Sequence, residues 1–196
     1  MRQMSASCVF AFAFVVLCCA GCVAPPPSPP GGPPVAAATA APGTATLAAV
    51  ATPPQLQPPP PAAPLLRANA QGVQIYTCAA KQGGGFDWSF KAPEAVLFDA
   101  GGRPAVRHFA GPSWQANDGS IVVGEAVANV PSPNGQGVPW LLLRAKAHQG
   151  AGIFAGVTYI QRLDTNGGTA PALPCGPPNI GQEARIPYTA VYVLYQ

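Results

Sequence analysis

The sequence predicts an all-β protein: one antiparallel β-sandwich or barrel of about eight or nine strands, preceded by a signal peptide and a disordered linker rich in proline and alanine. Short alternating runs, rich in β-branched and aromatic side chains, recur over residues 65–196. Glycine-rich turn sequences separate these runs, and strong helical periodicity with start and stop signals is absent. We therefore place the folded domain at residues 65–196.

Residues 1–22 have the layout of a lipoprotein-type signal peptide. Arg2 provides a short basic start, and residues 8–20 form an apolar run that is too short to span a bilayer. Two small residues stand immediately before Cys22. We expect Cys22 to become the lipid-bearing first residue, which would attach the protein to a membrane.

One position of this signal departs from the usual pattern. Cys19 stands where a lipobox usually has leucine. Ordinary signal cleavage after Ala24 is therefore the alternative. Both readings predict export, either to the bacterial outer membrane, periplasm or cell surface as a lipoprotein, or as a secreted protein.

Residues 23–64 are predicted to be a disordered tether. Fifteen of the 40 residues from 25 to 64 are proline, and none is charged. Such a segment has little apolar surface with which to offset its ordering entropy. A proline-rich chain favours the extended polyproline conformation, so we expect a semi-rigid spacer.

The charge of the 65–196 domain is nearly balanced. One of the chain's ten basic residues, Arg2, lies in the signal, which leaves nine basic and seven acidic residues in the domain. These charges are spread singly along the chain. Without a basic stripe to neutralise phosphates, we expect no nucleic-acid partner.

The domain holds two of the six cysteines, Cys78 and Cys175. In an oxidising compartment an isolated pair of this kind predicts a disulfide. Closing a loop of about 100 residues would contribute roughly 4 to 5 kcal/mol in the chain-entropy model. Two buried free thiols or half of a metal site are the alternatives. Since no histidine neighbours either cysteine at ligand spacing, we predict no metal.

The strand-like runs justify the all-β prediction element by element. They are residues 73–78, 86–90, 95–99, 106–109, 120–130, 141–148, 153–163 and 186–195. Turn sequences separate them at 83–85, 100–102, 117–119, 134–135 and 166–168. Residues 169–181 contain four prolines, so we expect a long loop there, pinned by Cys175.

Several sequence blocks resemble a known family. They are GVQIYTC (72–78), RHFAGPSW (107–114), DGS (118–120), VPWLLL (138–143), VTYIQR (157–162), TNGG (165–168) and IPYTA (186–190). Together they are similar to a family of secreted bacterial and fungal proteins classified as a domain of unknown function. The resemblance covers residues 70–196. It implies an exported single domain with no established activity, although some fungal members carry a malate dehydrogenase label.

That label makes a dinucleotide motif worth testing. Residues 150–155 satisfy the glycine fingerprint of a dinucleotide-binding turn. The motif also needs a helix that starts inside it and an acid about 20 residues later. Residues 153–160 are β-branched and aromatic instead, and Asp164 comes too soon. We therefore predict a hairpin turn, no dinucleotide and no cofactor.

The candidate binding patch surrounds Trp114. It comprises Arg107, His108, Trp114, Asn117 and Asp118. Aromatic rings on the loops of a β-fold stack on sugars, while amide, carboxylate and guanidinium groups bind hydroxyls. The alternative is that Trp114, like Trp88 and Trp140, fills the end of a small core.

These observations favour a non-enzymatic envelope module that binds cell-wall glycan, an envelope protein or a small ligand. We assign no catalytic residue. The alternative is a secreted hydrolase that uses His108 with Ser120 or Asp118, because a serine nucleophile needs a base within hydrogen-bond reach. Two observations discriminate: whether His108 contacts Ser120 or an acid in an open cleft, and whether a tryptophan exposes its ring face in a concavity.

Overall fold

A computed structural model describes residues 51–196 of the chain. The predicted signal peptide, the predicted lipidation site Cys22 and the first part of the predicted tether lie outside the described residues. The strands are β1 Pro64–Ala80, β2 Phe86–Phe98, β3 Pro104–Phe109, β4 Ser113–Ala116, β5 Ile121–Val130, β6 Trp140–Gln149, β7 Tyr159–Gly167 and β8 Glu183–Tyr195. Single 3-10 turns occur at Pro54–Leu56 and Pro177–Asn179. Within residues 51–196 there is no helix of the length and apolarity needed to cross a membrane.

The eight strands form one closed antiparallel barrel. Each strand pairs with the next along the chain, and β8 closes the barrel by pairing with β1. The all-β prediction is confirmed, and the architecture is the barrel rather than the sandwich. Closure gives every strand two neighbours, although β2 pairs with β3 only over residues 95–98.

Several strands extend beyond the predicted runs, β1 most of all, and three further differences concern the number and placement of strands. The runs at 86–90 and 95–99 belong to one strand, β2, because the intervening residues continue the pairing with β1. Strand β4 was not predicted, because its four residues carry too short a pattern. The predicted run at 153–163 begins only at Tyr159, and the residues before it form turns.

Because the strands alternate in direction, their connections fall at two opposite ends of the barrel. We call the end with connections 81–85, 110–112, 131–139 and 168–182 the open end. The end with connections 99–103, 117–120 and 150–158 is the closed end. Phe154 belongs to the inner core and is fully buried, so the 150–158 connection packs into the barrel interior.

The period of two along each strand separates an inner from an outer face. On β8, Tyr188, Ala190, Tyr192 and Leu194 join the inner core. Val191 and Val193 instead join a second apolar cluster on the outer face, together with Trp140, Leu142 and Leu163.

Leu56 covers this outer cluster. It is fully buried against the cluster, and its carbonyl accepts a 2.6 Å hydrogen bond from the Gln161 side chain. We call residues 53–57 the strap. The part of the chain that contacts the barrel therefore begins before residue 65, where the sequence placed the start of the domain.

Cys78 and Cys175 form the predicted disulfide, with their Cα atoms 5.5 Å apart. Cys78 lies near the end of β1, and Cys175 lies in the 168–182 connection. The bond therefore fixes this long loop beside the open end of the barrel, as the sequence predicted.

Candidate functional site

A cavity of about 530 Å³ occupies the open end of the barrel. The connections 110–112 and 131–139 contribute to its rim through Pro112 and Pro139. Its walls are mostly aromatic, aliphatic and proline side chains, and its polar groups are few. Both the volume and this composition are typical of small-molecule sites, which span about 300 to 1,000 Å³.

His108 and Trp114 form a stacked pair on the cavity wall. They lie directly opposite each other on β3 and β4, both on the inner face. Their ring centroids are 4.4 Å apart, with an angle of 10° between the planes. His108 is 3% exposed and Trp114 is 1% exposed, so both rings belong to the core and line the cavity.

His108 is held neutral. Its Nδ1–H donates a 2.9 Å hydrogen bond to the carbonyl oxygen of Ser113, which leaves Nε2 as an acceptor. Burial lowers the pKa of His108 to about 3, and the nearby charge of Arg162 acts in the same direction.

Tyr192 lines the cavity and contacts Tyr188, which lies behind the cavity wall. The hydroxyls of Tyr188 and Tyr192 are 3.4 Å apart. Burial raises the pKa of both phenols, so neither ionises near neutral pH. Tyr192 also packs edge-to-face against both His108 and Trp114.

Arg162 supplies the positive charge of the cavity. Its Nε and Nη2 atoms donate hydrogen bonds of 3.2 and 2.9 Å to the carbonyl oxygen of Pro139. No carboxylate of the described residues forms an ion pair with it. Its charge opposes the effect of burial on the pKa of Tyr76 and Tyr192, which places the guanidinium close to both phenols.

Two buried nitrogen donors on the cavity wall have no hydrogen-bond partner among residues 51–196. They are Nε2 of Gln74 and Nε1 of Trp114. Each residue is 1% exposed. Leaving such a donor unsatisfied costs about 1 to 3 kcal/mol, so a ligand acceptor that reached either nitrogen would be stabilised.

The structure separates the predicted binding residues into three locations. His108 and Trp114 come together in the cavity wall. Arg107 precedes His108 on β3 and is exposed on the outer face. Asn117 and Asp118 lie in the β4–β5 turn at the closed end, so the five residues do not form one patch.

Asp118 organises the closed end. Its carboxylate accepts hydrogen bonds from the Ser120 amide at 2.9 Å, the Ser120 hydroxyl at 2.6 Å and the Ile153 amide at 2.8 Å. These bonds, led by the one from the hydroxyl, lower the pKa of Asp118. Asp118 thereby connects the β4–β5 turn to the 150–158 connection.

His108 does not contact Ser120 or Asp118, as the predicted hydrolase arrangement would require. The Ser120 hydroxyl donates to Asp118 and accepts from the Phe154 amide at 3.2 Å. His108 is bonded to the Ser113 backbone instead, in the interior. In the described part of the chain, no three acidic, histidine or cysteine side chains converge in a way that would hold a metal. Residues 150–155 form turns and no helix.

The sequence did not place five polar residues in the cavity, namely Gln74, Tyr76, Lys91, Arg162 and Tyr192. A signal for the first pair was present, because alternation along β1 puts Gln74 and Tyr76 on one face together with Ala68 and Ala70. A polar residue in such a row points into the barrel. Arg162 gave only an ambiguous signal, because with Asp164 two residues later it could form a ligand clamp or a strand-end ion pair, and the ion pair was the favoured interpretation.

Fold and site define a class: a closed antiparallel β-barrel with a ligand-sized cavity at one end. Within it, the chain belongs to the family described as protein of unknown function (DUF3455), whose family model matches residues 59–196. This confirms the resemblance seen in the sequence; the family description names no dehydrogenase. No curated protein and no solved structure matches the chain.

Proposed function

We propose that this protein is an exported, non-enzymatic binding module of the bacterial cell envelope, lipid-anchored at Cys22, whose barrel holds a small ligand at its open end. One observation carries the proposal: the cavity is of ligand size and has buried, unpartnered donors on a mostly apolar wall. The export signal and the proline-rich tether support the location.

The other partners predicted from the sequence have less support. A surface platform for cell-wall glycan needs an exposed ring, whereas Trp114 is stacked on His108 in the interior. Hydrolysis by His108 with Ser120 or Asp118 lacks the hydrogen bond between base and nucleophile. We therefore centre the proposed function on the cavity.

The test is binding of N-phenyl-1-naphthylamine, an uncharged dye whose emission rises in apolar cavities. Ala126 lines the cavity on β5, and its neighbour Val127 is 49% exposed. We expect the purified wild-type protein and Val127→Phe to bind the dye. Ala126→Phe fills part of the cavity and should weaken binding by roughly tenfold or more, because a ring displaces the ligand volume.

Two results would contradict the proposal. One is the absence of any rise in emission with the folded wild-type protein. The other is an equal affinity of Ala126→Phe and Val127→Phe for the dye, which would indicate that the dye binds on the outer surface and not in the cavity. Near-ultraviolet circular dichroism confirms that both variants keep their tertiary packing.

A further inference from the structure

The polar groups of the cavity restrict the chemistry of its ligand. The two fully buried nitrogen atoms of the cavity wall without a partner in the described residues, Gln74 Nε2 and Trp114 Nε1, are donors, whereas Nε2 of His108 is an acceptor. An indole nitrogen only donates, so at Trp114 the ligand must bring an acceptor. Gln74 lies beside the phenol of Tyr188, and its amide group, as a potential hydrogen-bond donor, lowers the pKa of that phenol against the larger effect of burial. The ligand atom that meets this region therefore carries lone pairs.

The charged residues of the cavity indicate the charge of the ligand group that accepts these hydrogen bonds. None of the residues that line the cavity is acidic. Lys91 lies at the rim and is paired with Glu183, so its charge is already compensated. Arg162 has no such partner in the described part of the chain, and two of its five N–H groups are used by Pro139. Arg162 also forms a side-chain hydrogen bond with the phenol of Tyr192, and its other N–H groups are left to bind an anion.

The surroundings of Arg162 favour a single negative charge. His108 is neutral and the neighbouring tyrosines are protonated, so no second cation lies deep in the cavity. One guanidinium matches a carboxylate in charge and, through two parallel N–H donors, in shape. A phosphate carrying two charges would be left half-compensated in an apolar site.

The rest of the wall is suited to an apolar chain. Leu141, Leu143 and Val138 line the cavity beside the aromatic rings. Phe90 also lines it and is 55% exposed, packed edge-on against Tyr76 with ring centroids 5.7 Å apart. An exposed aromatic ring at a cavity wall extends the apolar surface towards solvent, where the end of a chain would emerge.

We propose that the ligand is an amphiphilic monocarboxylate, bound through its carboxylate by Arg162, Gln74 and Trp114, with its apolar chain directed towards Phe90. This inference rests on the proposed function of the cavity and specifies the class of ligand that it accepts.

Competition against N-phenyl-1-naphthylamine tests it with two probes of equal chain length, decanoate and 1-decanol. On the wild-type protein we expect decanoate to displace the dye at a concentration roughly tenfold or more below the concentration of 1-decanol that does so. Hydrogen bonds to a charged group account for a difference of this size. Arg162→Gln should abolish this preference while changing the 1-decanol affinity by less than about threefold. Arg144→Gln removes an exposed guanidinium that pairs with Glu125 and should keep the preference.

The outcomes separate the two proposals. If the dye binds but decanoate and 1-decanol compete equally, or if Arg162→Gln keeps the preference, the cavity function stands and the carboxylate assignment is wrong. If the dye, decanoate and 1-decanol all fail to bind the folded protein, the cavity function itself is wrong.

Trp114→Phe provides a second variant in case Arg162→Gln fails to fold. It removes the Nε1 donor and keeps an aromatic ring against His108. We expect decanoate binding to weaken by roughly three- to tenfold, with 1-decanol much less affected, because a hydrogen bond to a charged acceptor is the stronger one. An equal loss for both probes would indicate altered packing and overturn the role of Trp114 in binding the carboxylate.

Discussion

At the scale of single residues, the key group is a histidine that does no acid–base work at neutral pH. His108 is surrounded by the rings of Trp114 and Tyr192, and its single hydrogen bond runs to a backbone carbonyl. A general base needs a pKa near the working pH. The pKa of His108, at about 3, is far below that range, which favours a packing and binding role.

This burial predicts a pH dependence of stability. As the pH falls from about 7 to about 5, the unfolded state takes up a proton at a histidine pKa of about 6.5, whereas folded His108 does not. The free energy of unfolding should therefore fall by about 2 kcal/mol over this interval. Urea unfolding at the two pH values measures it.

The control is the other histidine of the chain. His108→Gln should remove most of the pH dependence, whereas His148→Gln should retain it. The carboxylates with lowered pKa values, Asp99, Asp118 and Glu125, titrate below this interval and do not contribute. The same pH dependence in His108→Gln as in the wild type would show that His108 is protonated in the folded state.

At the scale of elements, the sequence was most informative where a strand pattern is long. The alternating pattern at 73–78 lies inside β1, and the run at 186–195 lies inside β8. It was least informative for β4, whose place in the barrel depends on pairing with β3 and β5. Pairing between strands is a tertiary property that a four-residue pattern does not contain.

The candidate site was predictable only in part for a related reason. His108 and Trp114 were identified, but Asn117 and Asp118 were assigned to the same patch because they follow closely in sequence. Strand β4 runs from the open end to the closed end of the barrel. Its four residues therefore separate the cavity from the turn that holds Asn117 and Asp118. The prediction grouped these residues because they are close in sequence. Their position at one end of the barrel or the other depends instead on the direction of the strand that precedes them.

One glycine shows how closely two strands approach. A Cβ atom on Gly72 would lie 2.2 Å from the Glu94 carbonyl oxygen and 2.5 Å from the Ala95 Cβ atom, across the β1–β2 pair. Gly72→Ala must push the strands apart, so we expect it to lower the free energy of unfolding by about 1 to 3 kcal/mol or more. Gly156→Ala is the matched control, because no atom lies within 4 Å of its added methyl group. Equal urea midpoints for the two variants would contradict this close approach.

At the scale of the whole molecule, the barrel wall separates two apolar clusters. The inner cluster fills the closed end and leaves the open end to the cavity. The outer cluster, on β6 to β8, would be exposed to water without the strap. The sequence assigned the strap to a disordered tether because proline dominates its composition. A single leucine in such a segment gives no sign that a partner surface exists elsewhere on the fold.

Leu56 should therefore contribute to stability as a core residue does. Its side chain is fully buried against the cluster that contains Trp140 and Val193. We expect Leu56→Ala to lower the free energy of unfolding by about 2 to 4 kcal/mol and to shift tryptophan emission to longer wavelength as water reaches Trp140. Leu173→Ala is the control, since Leu173 is 73% exposed and should change stability by less than about 0.5 kcal/mol. Urea unfolding followed by fluorescence measures both, and equal stability of the two variants would show that the strap does not pack on the barrel in solution.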